Sequence, residues 1–349
     1  MIARSTENEM SNVITLAGCI RGFRDGVGKK AKFNLPSDVV VDAAGNVYVA
    51  DSSNHAIRKI TPEGVVSTIA GGMRGFADGN RDEARFAGPA ELAMDAKGNI
   101  YVADSDLYNY SIRKITPEGV VSTLAGVVST LAGSGKAGFI LTEFHELAGL
   151  ATDRFDSVYV ADAGNDSIRK ITSEGEVSTL AGDGKYGFRD GVGKEARFKC
   201  PSDVVVDAKG NLYVADTDNH RIRKITPEGV VSTLAGGTRG FSDGTGTEAW
   251  FNSPSGVAVD NSGNVYVADS VNNRVRKITP DGVVSTLAGN GTRGFRDGVG
   301  TEAWFHSPHG LAVDSSNNVY VADTGNHRIR KITPEGEIST LAGSGKMSP

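Results

Sequence analysis

Short apolar runs bounded by turn residues recur along the whole chain. In the first copy they are DVVVD at 38–42, VYVAD at 47–51, IRKIT at 57–61 and VVSTIA at 65–70. Runs of this length that are rich in Val and Ile are typical of strands, and no segment has the apolar period of a long helix. The links DAAGN and TPEG carry the Gly, Asn and Pro residues of tight hairpin turns. Each copy therefore predicts a meander of short antiparallel strands.

The tetrapeptide Tyr-Val-Ala-Asp marks the period of this unit. Its aspartates are Asp51, Asp104, Asp162, Asp216, Asp269 and Asp323, at intervals of 53, 58, 54, 53 and 54 residues. The long interval contains VVSTLAG twice in succession, at 120–126 and 127–133. Repetition at this period outweighs the division into separate domains that the chain length alone suggests. We predict one domain over 1–349, with repeats at about 22–74, 75–137, 138–186, 187–239, 240–293 and 294–349.

Hydrophobicity falls from the first strand of each unit to the fourth. Val39 and Val40 make the first strand apolar on both faces, whereas Arg58 and Lys59 bring charge into the third. The first strand is therefore expected at the centre and the fourth at the outside. Radial stacking of such sheets buries each face against its neighbour and leaves only short edges. Because no capping repeat is recognisable, we predict a closed all-β fold, a six-bladed β-propeller of four-stranded antiparallel blades.

The consensus of the copies resembles the NHL repeat. It reads GFRDGxGxxAxFxxPSxVxVDxxGNxYVADxxNHxIRKITPxGxVSTLAG and extends over about residues 12–346. The resemblance implies a six-bladed propeller. It implies much less about activity, because NHL propellers include protein-binding platforms, sensor domains, RNA binders and a few lyases, and a fold does not determine a function.

Sequences of the fourth-strand type outnumber the blades. They lie at 13–18, 66–71, 120–126, 127–133, 177–182, 230–236, 283–289 and 338–343. We favour closure of the ring by the N-terminal strand at 13–18, which would displace 338–343, and the opposite choice stays open. A displaced strand is an unpaired edge, so a strand-swapped oligomer is the alternative to the expected monomer.

Residues present in every copy are interpreted as structural. The Asp of YVAD is expected to accept backbone N–H bonds in the turn that follows it. The Arg-Lys pair of RKIT is expected to form pairs between blades. A loop phenylalanine is expected to fill the gap between blades, and its copies are Phe23, Phe76, Phe139, Phe188, Phe241 and Phe295.

Positions at which the copies differ are the functional candidates. The long loops and the loop after YVAD share one face, here called the long-loop face, where variable loops over a rigid scaffold usually carry binding groups. On this face the residue that opens the first strand is Gly in half of the copies and an acid in Asp38, Glu91 and Asp203. With His309 these acids are the predicted ligand-binding residues of the channel mouth.

The acids also suggest a metal site. Hard cations prefer oxygen ligands, so Asp38, Glu91 and Asp203 are candidate ligands for Ca²⁺ or another divalent cation. Lactonase-type six-bladed propellers are similar in architecture, since they hold a metal with channel carboxylates and Asn. The alternative is a water-filled channel whose solvated acids have raised pKa values through mutual repulsion.

A second region of departure lies in the second and third copies. It contains Tyr108, Tyr110, Phe144 and His145. Clustered aromatic residues favour contact with a protein or a small ligand, so these residues are predicted to form a surface contact. The alternative is a degenerate blade whose shortened loop packs inward.

Composition narrows the function further. A net charge of −5 without blocks of like charge argues against nucleic acid. The chain start lacks the apolar core of a signal peptide and no run reaches membrane length, so no membrane association is expected, and localisation stays open. HExxH, P-loop, GxSxG and CxxC motifs are absent.

The leading hypothesis is a non-enzymatic binding or scaffold propeller that presents its long-loop face and channel mouth to a protein or small-molecule ligand. The alternative is a metal-dependent hydrolase, lactonase or lyase that uses the acidic mouth. RNA binding and an engineered or recently amplified array without a selected ligand are less favoured.

Overall fold

Six small antiparallel sheets stand around one axis. The computed structural model describes residues 12–105, 110–127, 144 and 146–334. Within these residues the innermost strands of every sheet follow one another in chain order from the axis outward, and blade 6 takes its outer strand from the start of the chain. The predicted all-β, six-bladed β-propeller is therefore confirmed.

The strands are numbered in chain order. The first strand of the chain, β1 (Asn12–Ala17), belongs to the last blade. Blade 1 has β2 (Gly26–Val27), β3 (Pro36–Val41), β4 (Val47–Asp51), β5 (Ala56–Ile60) and β6 (Val65–Gly71). Blade 2 has β7 (Pro89–Met94), β8 (Ile100–Ser105), β9 (Tyr110–Ile115) and β10 (Val121–Val127). Blade 3 has β11 (Leu147–Thr152), β12 (Val158–Asp162), β13 (Ser167–Ile171) and β14 (Val177–Ala181).

The second half of the ring repeats this plan. Blade 4 has β15 (Gly191–Val192), β16 (Pro201–Val206), β17 (Leu212–Asp216), β18 (Arg221–Ile225) and β19 (Val230–Gly236). Blade 5 has β20 (Gly244–Thr245), β21 (Pro254–Val259), β22 (Val265–Asp269), β23 (Arg274–Ile278) and β24 (Val283–Ala288). Blade 6 has β25 (Gly298–Val299), β26 (Pro308–Val313), β27 (Val319–Asp323) and β28 (Arg328–Thr333).

One-turn 3₁₀ helices are the helical elements of the described residues. They are Gly28–Lys30, Ser52–Asn54, Ala163–Asn165, Gly193–Glu195, Thr217–Asn219, Gly246–Glu248, Ser270–Asn272, Gly300–Glu302 and Thr324–Asn326. Those directly after YVAD belong to the long-loop face, whereas those in the long loops lie beside the TPEG turn, as shown by the hydrogen bond from Gly28 N–H to the Gly64 carbonyl at 2.8 Å.

The hydrophobic core lies between blades. Strands β3, β7, β11, β16, β21 and β26 are the inner strands, and each contacts the inner strand of the next blade around a closed ring. Val39 and Phe33 of blade 1, for example, share a buried cluster with Ala322 and Ile329 of blade 6. The apolar first strand predicted at the centre is found there, because both of its faces are covered by neighbouring blades.

The ring is closed by the N-terminal strand. β1 pairs with β28 on one side, with Val13 opposite Ile332, and with β25 on the other, with Val13 opposite Gly298. The Thr15 hydroxyl donates to the Asp297 carboxylate at 2.9 Å, which repeats a contact found in other blades. β1 is thus the outer strand of blade 6, and the surplus sequence at 338–343 lies outside the described residues.

Short strands from the long loops cover most outer edges. β2, β15 and β20 pair with β6, β19 and β24, and β25 pairs with β1. In blade 2 the equivalent contact is a single bridge between Gly79 and Val121. Because an unpaired outer edge invites pairing with another chain, these additions protect the propeller from edge-to-edge association.

In five of the blades, among the described residues, a buried arginine joins the long loop to its blade. Arg58 has no exposed surface. Its Nη1 contacts Asp51 Oδ2 at 2.6 Å, and its Nη2 contacts Asp25 Oδ1 at 2.7 Å. Asp25 also accepts the hydroxyl of Thr68 in the outer strand. The equivalent buried arginines are Arg113, Arg223, Arg276 and Arg330. The RKIT arginine therefore connects a blade to its own loop, and the expectation of pairing between blades was wrong for it.

The aspartate of YVAD also has a different partner from the one expected. Asp51 Oδ1 accepts the backbone N–H of Asn34, which lies in the loop before the inner strand, at 2.8 Å. In the turn that follows, Asp51 Oδ2 accepts the side-chain amide of Asn54 at 2.9 Å. The carboxylate thus ties the start of the inner strand to the end of the second strand.

Two sets of loop phenylalanines are present, and they have different positions and roles. Phe23 and its copies in blades 2, 4, 5 and 6 are between 36% and 49% exposed, so they do not fill the gap between blades. The Phe23 ring instead covers the Arg58 guanidinium at 4.9 Å. The second aromatic of the loop is buried, and its copies are Phe33, Phe86, Phe144, Phe198, Phe251 and Phe305.

Deletion of residues 1–17 is expected to lower the free energy of unfolding by about 3 kcal/mol or more, because it removes the buried Val13 and Leu16 and leaves β28 unpaired. Deletion of 335–349 is the control and should leave stability unchanged, since β1 fills the outer position of blade 6. Urea unfolding followed by circular dichroism measures both. The opposite ranking would contradict N-terminal closure.

Arg276→Ala is expected to lower the free energy of unfolding by about 3–5 kcal/mol, because it leaves the carboxylate of Asp269 buried without a counter-charge. Arg169→Ala should cost clearly less, since Arg169 is 17% exposed and its one ion pair with a described residue is to Asp162 at 3.2 Å. Chemical denaturation of the two variants tests this, and equal losses would refute the role assigned to the buried arginine.

Candidate functional site

The three predicted acids open inner strands at the long-loop end of the channel. Asp38, Glu91 and Asp203 stand in β3, β7 and β16, and they are only 4%, 4% and 7% exposed. The alternative of solvated acids in a water-filled channel does not describe them, because they are buried. At the same position the other blades have Gly149, Gly256 and Gly310.

The glycines make room for the acids. A Cβ atom at Gly310 would overlap the Asp38 carboxylate, and a Cβ at Gly149 would overlap that of Asp203. Each aspartate therefore lies across the glycine of the preceding blade. A glycine in the blade before each aspartate is thus required by the narrow spacing of the inner strands.

The two aspartates bind the following blade. Asp38 Oδ2 accepts the backbone N–H of Leu92 at 2.8 Å, and Asp203 Oδ2 accepts that of Val257 at 2.7 Å. Both acids thus have a structural role as links between inner strands. Glu91 differs, because no backbone N–H of the described residues donates to its carboxyl group, which is hydrogen-bonded to Asp38.

His309 lies beside Glu91 at the same mouth. Its Nδ1 is 3.4 Å from Glu91 Oε1, and its side chain is 39% exposed, so the imidazole forms the solvent-facing edge of the site. The sequence predicted His309, Asp38 and Glu91 side by side with Asp203 across the ring. The structure brings Glu91 close enough to Asp203 for their charges to interact, because the channel is narrow.

Electrostatics sets these acids apart from the rest of the protein. Burial, and then the neighbouring Glu91 carboxylate, raises the pKa of Asp38 well above its ordinary value. The pKa of Glu91 is also raised, first by burial and then by the nearby Asp203 carboxylate. The pKa of Asp203 is raised in the same way, first by burial and then by Asp38. Among the described residues no Lys or Arg forms an ion pair with these acids. They therefore hold protons at a pH where exposed carboxyl groups are ionised.

An apolar channel continues below the acids. Its cavity has a volume of about 200 Å³ and is lined by the inner strands, with Val39, Leu92, Leu150 and Leu311 among the lining residues. The site is thus a polar ring at the entrance of an apolar well, which suits a ligand with a polar end and an apolar end.

The predicted metal site stays a prediction. In the described part of the chain no three His, Cys, Asp or Glu side chains are grouped so as to hold a metal ion. Asp38 and Asp203 each already accept a backbone N–H with one carboxylate oxygen. A cation would have to compete with those hydrogen bonds.

The predicted surface contact in blades 2 and 3 is changed by the structure. Phe144 is 1% exposed and takes the place of the buried second aromatic of the loop, so it is a core residue and not a contact residue. Tyr110 is half-buried against the same cluster at the start of β9. Tyr108 and His145 lie outside the described residues.

One group on the long-loop face was missed by the sequence analysis. Arg221, Arg274 and Arg328 open the third strands of blades 4, 5 and 6, where the other blades have Ala56, Ser111 and Ser167. The difference between copies was visible in the sequence. What could not be seen was that these arginines lack the acids that accompany the next arginine along each strand.

Comparison with known proteins agrees with the repeat and the fold. The NHL repeat model matches residues 33–60, 198–225, 251–278 and 305–332, each from the buried loop phenylalanine to the third strand. This chain is an NHL-repeat β-propeller. None of the helices in its described part has the length and apolar character needed to cross a bilayer.

Curated relatives of this NHL-repeat propeller are longer proteins. NHL repeat-containing protein 2 of Gallus gallus is 36% identical, over 88% of this chain and 47% of that protein. SUPPRESSOR OF QUENCHING 1, chloroplastic, of Arabidopsis thaliana is 31% identical, over 90% of this chain and 32% of that protein. The chain thus spans about a third to a half of the length of these two relatives.

Solved structures share the fold of this NHL-repeat propeller. A Bacteroides thetaiotaomicron protein of unknown function has a TM-score of 0.72 at 21% identity, covering 93% of this chain and 76% of its own. Virginiamycin B lyase from Staphylococcus aureus has a TM-score of 0.54 at 13% identity, covering 93% of this chain and 98% of its own. At such identities the likeness establishes the architecture alone.

Glu91→Gln is expected to raise the free energy of unfolding at neutral pH by about 1 kcal/mol or more, since each unit of pKa elevation corresponds to about 1.4 kcal/mol. A carboxyl group whose pKa is raised by folding binds more protons in the native state. Its stabilising contribution is present below the ordinary pKa of Glu and is lost as pH rises through the folded pKa.

Urea unfolding from acidic to mildly alkaline pH measures this effect. The wild-type protein should lose stability with rising pH relative to Glu91→Gln, whereas exposed Glu248→Gln should follow the wild-type curve. Parallel curves for wild type and Glu91→Gln would show that Glu91 is not held protonated by the fold.

Proposed function

We propose that this NHL-repeat propeller is a non-enzymatic binding module that presents its long-loop face to a ligand with a cationic group. NHL β-propellers are generally protein-interaction domains, and the ligand is either a protein segment or a small molecule. The observation that supports the proposal is the set of buried acids at the channel mouth, namely Asp38, Glu91 and Asp203, which form no ion pair with a Lys or Arg of the described residues and have only His309 as a basic neighbour.

The other buried acids of the described residues are paired with an arginine or accept several hydrogen bonds, as Asp95 does from Asn99 and Tyr101. Asp51 and Asp269, for instance, each lie within 3 Å of a fully buried arginine. Leaving an acid buried without a counter-charge is costly, because the ionised form loses its hydration. Glu91 bears this cost without the backbone hydrogen bond that explains Asp38 and Asp203. A group that weakens the free protein in this way is a candidate for a role in binding.

A cationic ligand supplies the missing charge. An ammonium or guanidinium group at the mouth would lie beside several carboxyl groups and favour their ionised forms, so that binding releases protons to the solvent. The apolar well beneath, with Leu92 and Val39 in its wall, accepts a hydrocarbon chain attached to that group. His309 at the exposed edge adds a hydrogen-bonding group to the entrance.

A metal-dependent hydrolase or lyase at the same mouth is the second candidate. The observation in its favour is that acids from blades 1, 2 and 4 and a histidine from blade 6 share one entrance. Ca²⁺ or another divalent cation would then bind where the cationic group is proposed to bind, with Asp38, Glu91 and Asp203 as oxygen ligands. In the first candidate function a cationic group of an organic ligand displaces the protons of these acids, and in the second a metal ion displaces them.

Calorimetry with n-butylammonium as the probe tests the proposal, with n-butanol as the neutral probe of matched shape and Ca²⁺ as a third titrant. We expect n-butylammonium to bind with release of protons, shown by a heat that changes with the ionisation enthalpy of the buffer. Glu91→Gln should weaken it by about tenfold, the effect of about 1.4 kcal/mol. Glu248→Gln should not.

The other outcomes separate the candidates. Equal binding of n-butanol and n-butylammonium, or binding of neither, would overturn the proposal. Saturable binding of Ca²⁺ that is abolished by Glu91→Gln, without binding of the amine, would favour the metal-dependent enzyme.

A further inference from the structure

Three arginines of the long-loop face lack an acidic partner. Arg221, Arg274 and Arg328 open β18, β23 and β28, and within the described residues no carboxylate oxygen lies within 4.0 Å of their side-chain nitrogens. Two residues further along each strand stands a buried arginine with two acids, such as Arg223 with Asp190 and Asp216. The outer arginines, here called the arginine crescent, therefore have no direct ion pair among the described residues, and aspartates such as Asp216 act on Arg221 only from a greater distance.

The crescent is held in place. The guanidinium carbons of Arg221, Arg274 and Arg328 lie 3.8, 3.7 and 3.7 Å from the ring centres of loop phenylalanines in the same three blades. Each Nη1 donates to a backbone carbonyl two residues earlier, at 3.0, 3.1 and 2.9 Å. Because their side chains are already ordered, binding a ligand costs them little conformational entropy.

Burial makes a further counter-charge favourable at the crescent. It lowers the pKa of each crescent arginine, and the buried arginine beside each one acts in the same direction, whereas two nearby aspartates, such as Asp216 and Asp190 for Arg221, act in the opposite direction. The Nε of Arg221 is buried and has no hydrogen-bond partner among the described residues. A carboxylate beside the crescent would supply both a counter-charge and acceptors for such donors.

The crescent occupies half of the ring. At the same register the first three blades have Ala56 opposite Asp51, Ser111 opposite Asp104 and Ser167 opposite Asp162. Arginine at this position is therefore not required by the blade. Its restriction to three consecutive blades makes one side of the long-loop face basic.

We propose that the arginine crescent binds an acidic segment of a partner protein through guanidinium–carboxylate pairs. The planar fork of arginine matches a carboxylate, and successive blades present three such forks along an arc. The inference rests on the proposed function only in using the same face, since the crescent residues are separate from the acids of the channel mouth.

Nucleic acid fits this surface less well than an acidic peptide. Single-stranded nucleic acids need free aromatic faces for stacking, and each ring here already lies within 5 Å of two guanidinium carbons. Asp190, Asp243 and Asp297 also stand half-exposed around the neighbouring buried arginines and would repel closely spaced phosphates. Isolated carboxylates can be placed between these acids.

The test compares two triple variants by fluorescence anisotropy with labelled hexaglutamate as the probe. The crescent variant is Arg221→Ser, Arg274→Ser and Arg328→Ser, which installs the residue that blades 2 and 3 use at this position. The control variant is Lys209→Ser, Lys224→Ser and Lys331→Ser, which removes the same charge elsewhere. We expect the crescent variant to bind about tenfold more weakly or worse and the control to stay within about twofold of wild type.

Two further variants serve as controls for the hexaglutamate binding experiment. Glu91→Gln should leave hexaglutamate binding unchanged, so a failure of the channel-mouth proposal is distinguished from a failure of this one. Arg328→Lys, which keeps charge but not the fork, should weaken wild-type binding measurably and serves as the readout if the triple variant does not fold.

Four outcomes would overturn the inference. They are equal binding of hexaglutamate and hexaglutamine by the wild-type protein, equal losses in the two triple variants, no effect of Arg328→Lys in a protein whose triple variant is unfolded, and tighter binding of oligouridylate than of hexaglutamate. The last outcome would assign the crescent to nucleic acid.

Discussion

The buried arginine between two aspartates is the interaction on which the rest of the propeller depends. In blade 1 it joins the second and third strands, through Asp51 and Arg58, to the long loop through Asp25. Removing the arginine or one of the aspartates would leave an uncompensated charge in the interior, so the contribution of each group to stability depends on the other two. Because this unit recurs in five of the blades described, the long loops are fixed relative to the inner strands.

Rigid loops turn the long-loop face into a defined surface. Within the described residues, its centre has buried acids without a Lys or Arg partner, and one side of its rim has half-buried arginines without a direct ion pair. Both differ from the Arg–Asp pairs that the blades repeat. The separation of the two kinds of charge would orient a ligand, with a cationic group at the axis and acidic groups towards blades 4–6.

The repeat made most of the fold predictable, because a residue that recurs in every copy must serve the blade. Val39 and Val40 indicated an inner strand, and the repeated Asp51 indicated a structural carboxylate. The partners were harder to predict. Arg58 was expected to reach another blade, yet its acids lie in its own repeat, because the long loop folds back over the third strand. Phe144 was taken for a surface residue because its loop departs from the consensus, whereas burial shows that it keeps the role of Phe33.

The sequence by itself determined the number of blades, the order of strands within them and the positions where copies differ, since these depend on local periodicity and turn chemistry. The tertiary structure alone decided which of the differing residues meet. Asp38, Glu91 and Asp203 are far apart in the chain, and each adds to the pKa elevation of another, beyond the effect of burial, only because the ring brings their inner strands to one narrow axis. That Arg221 and Arg274 have no direct ion pair with another described residue is likewise a property of the assembled ring, because an ion pair depends on distances in space and not on spacing in sequence.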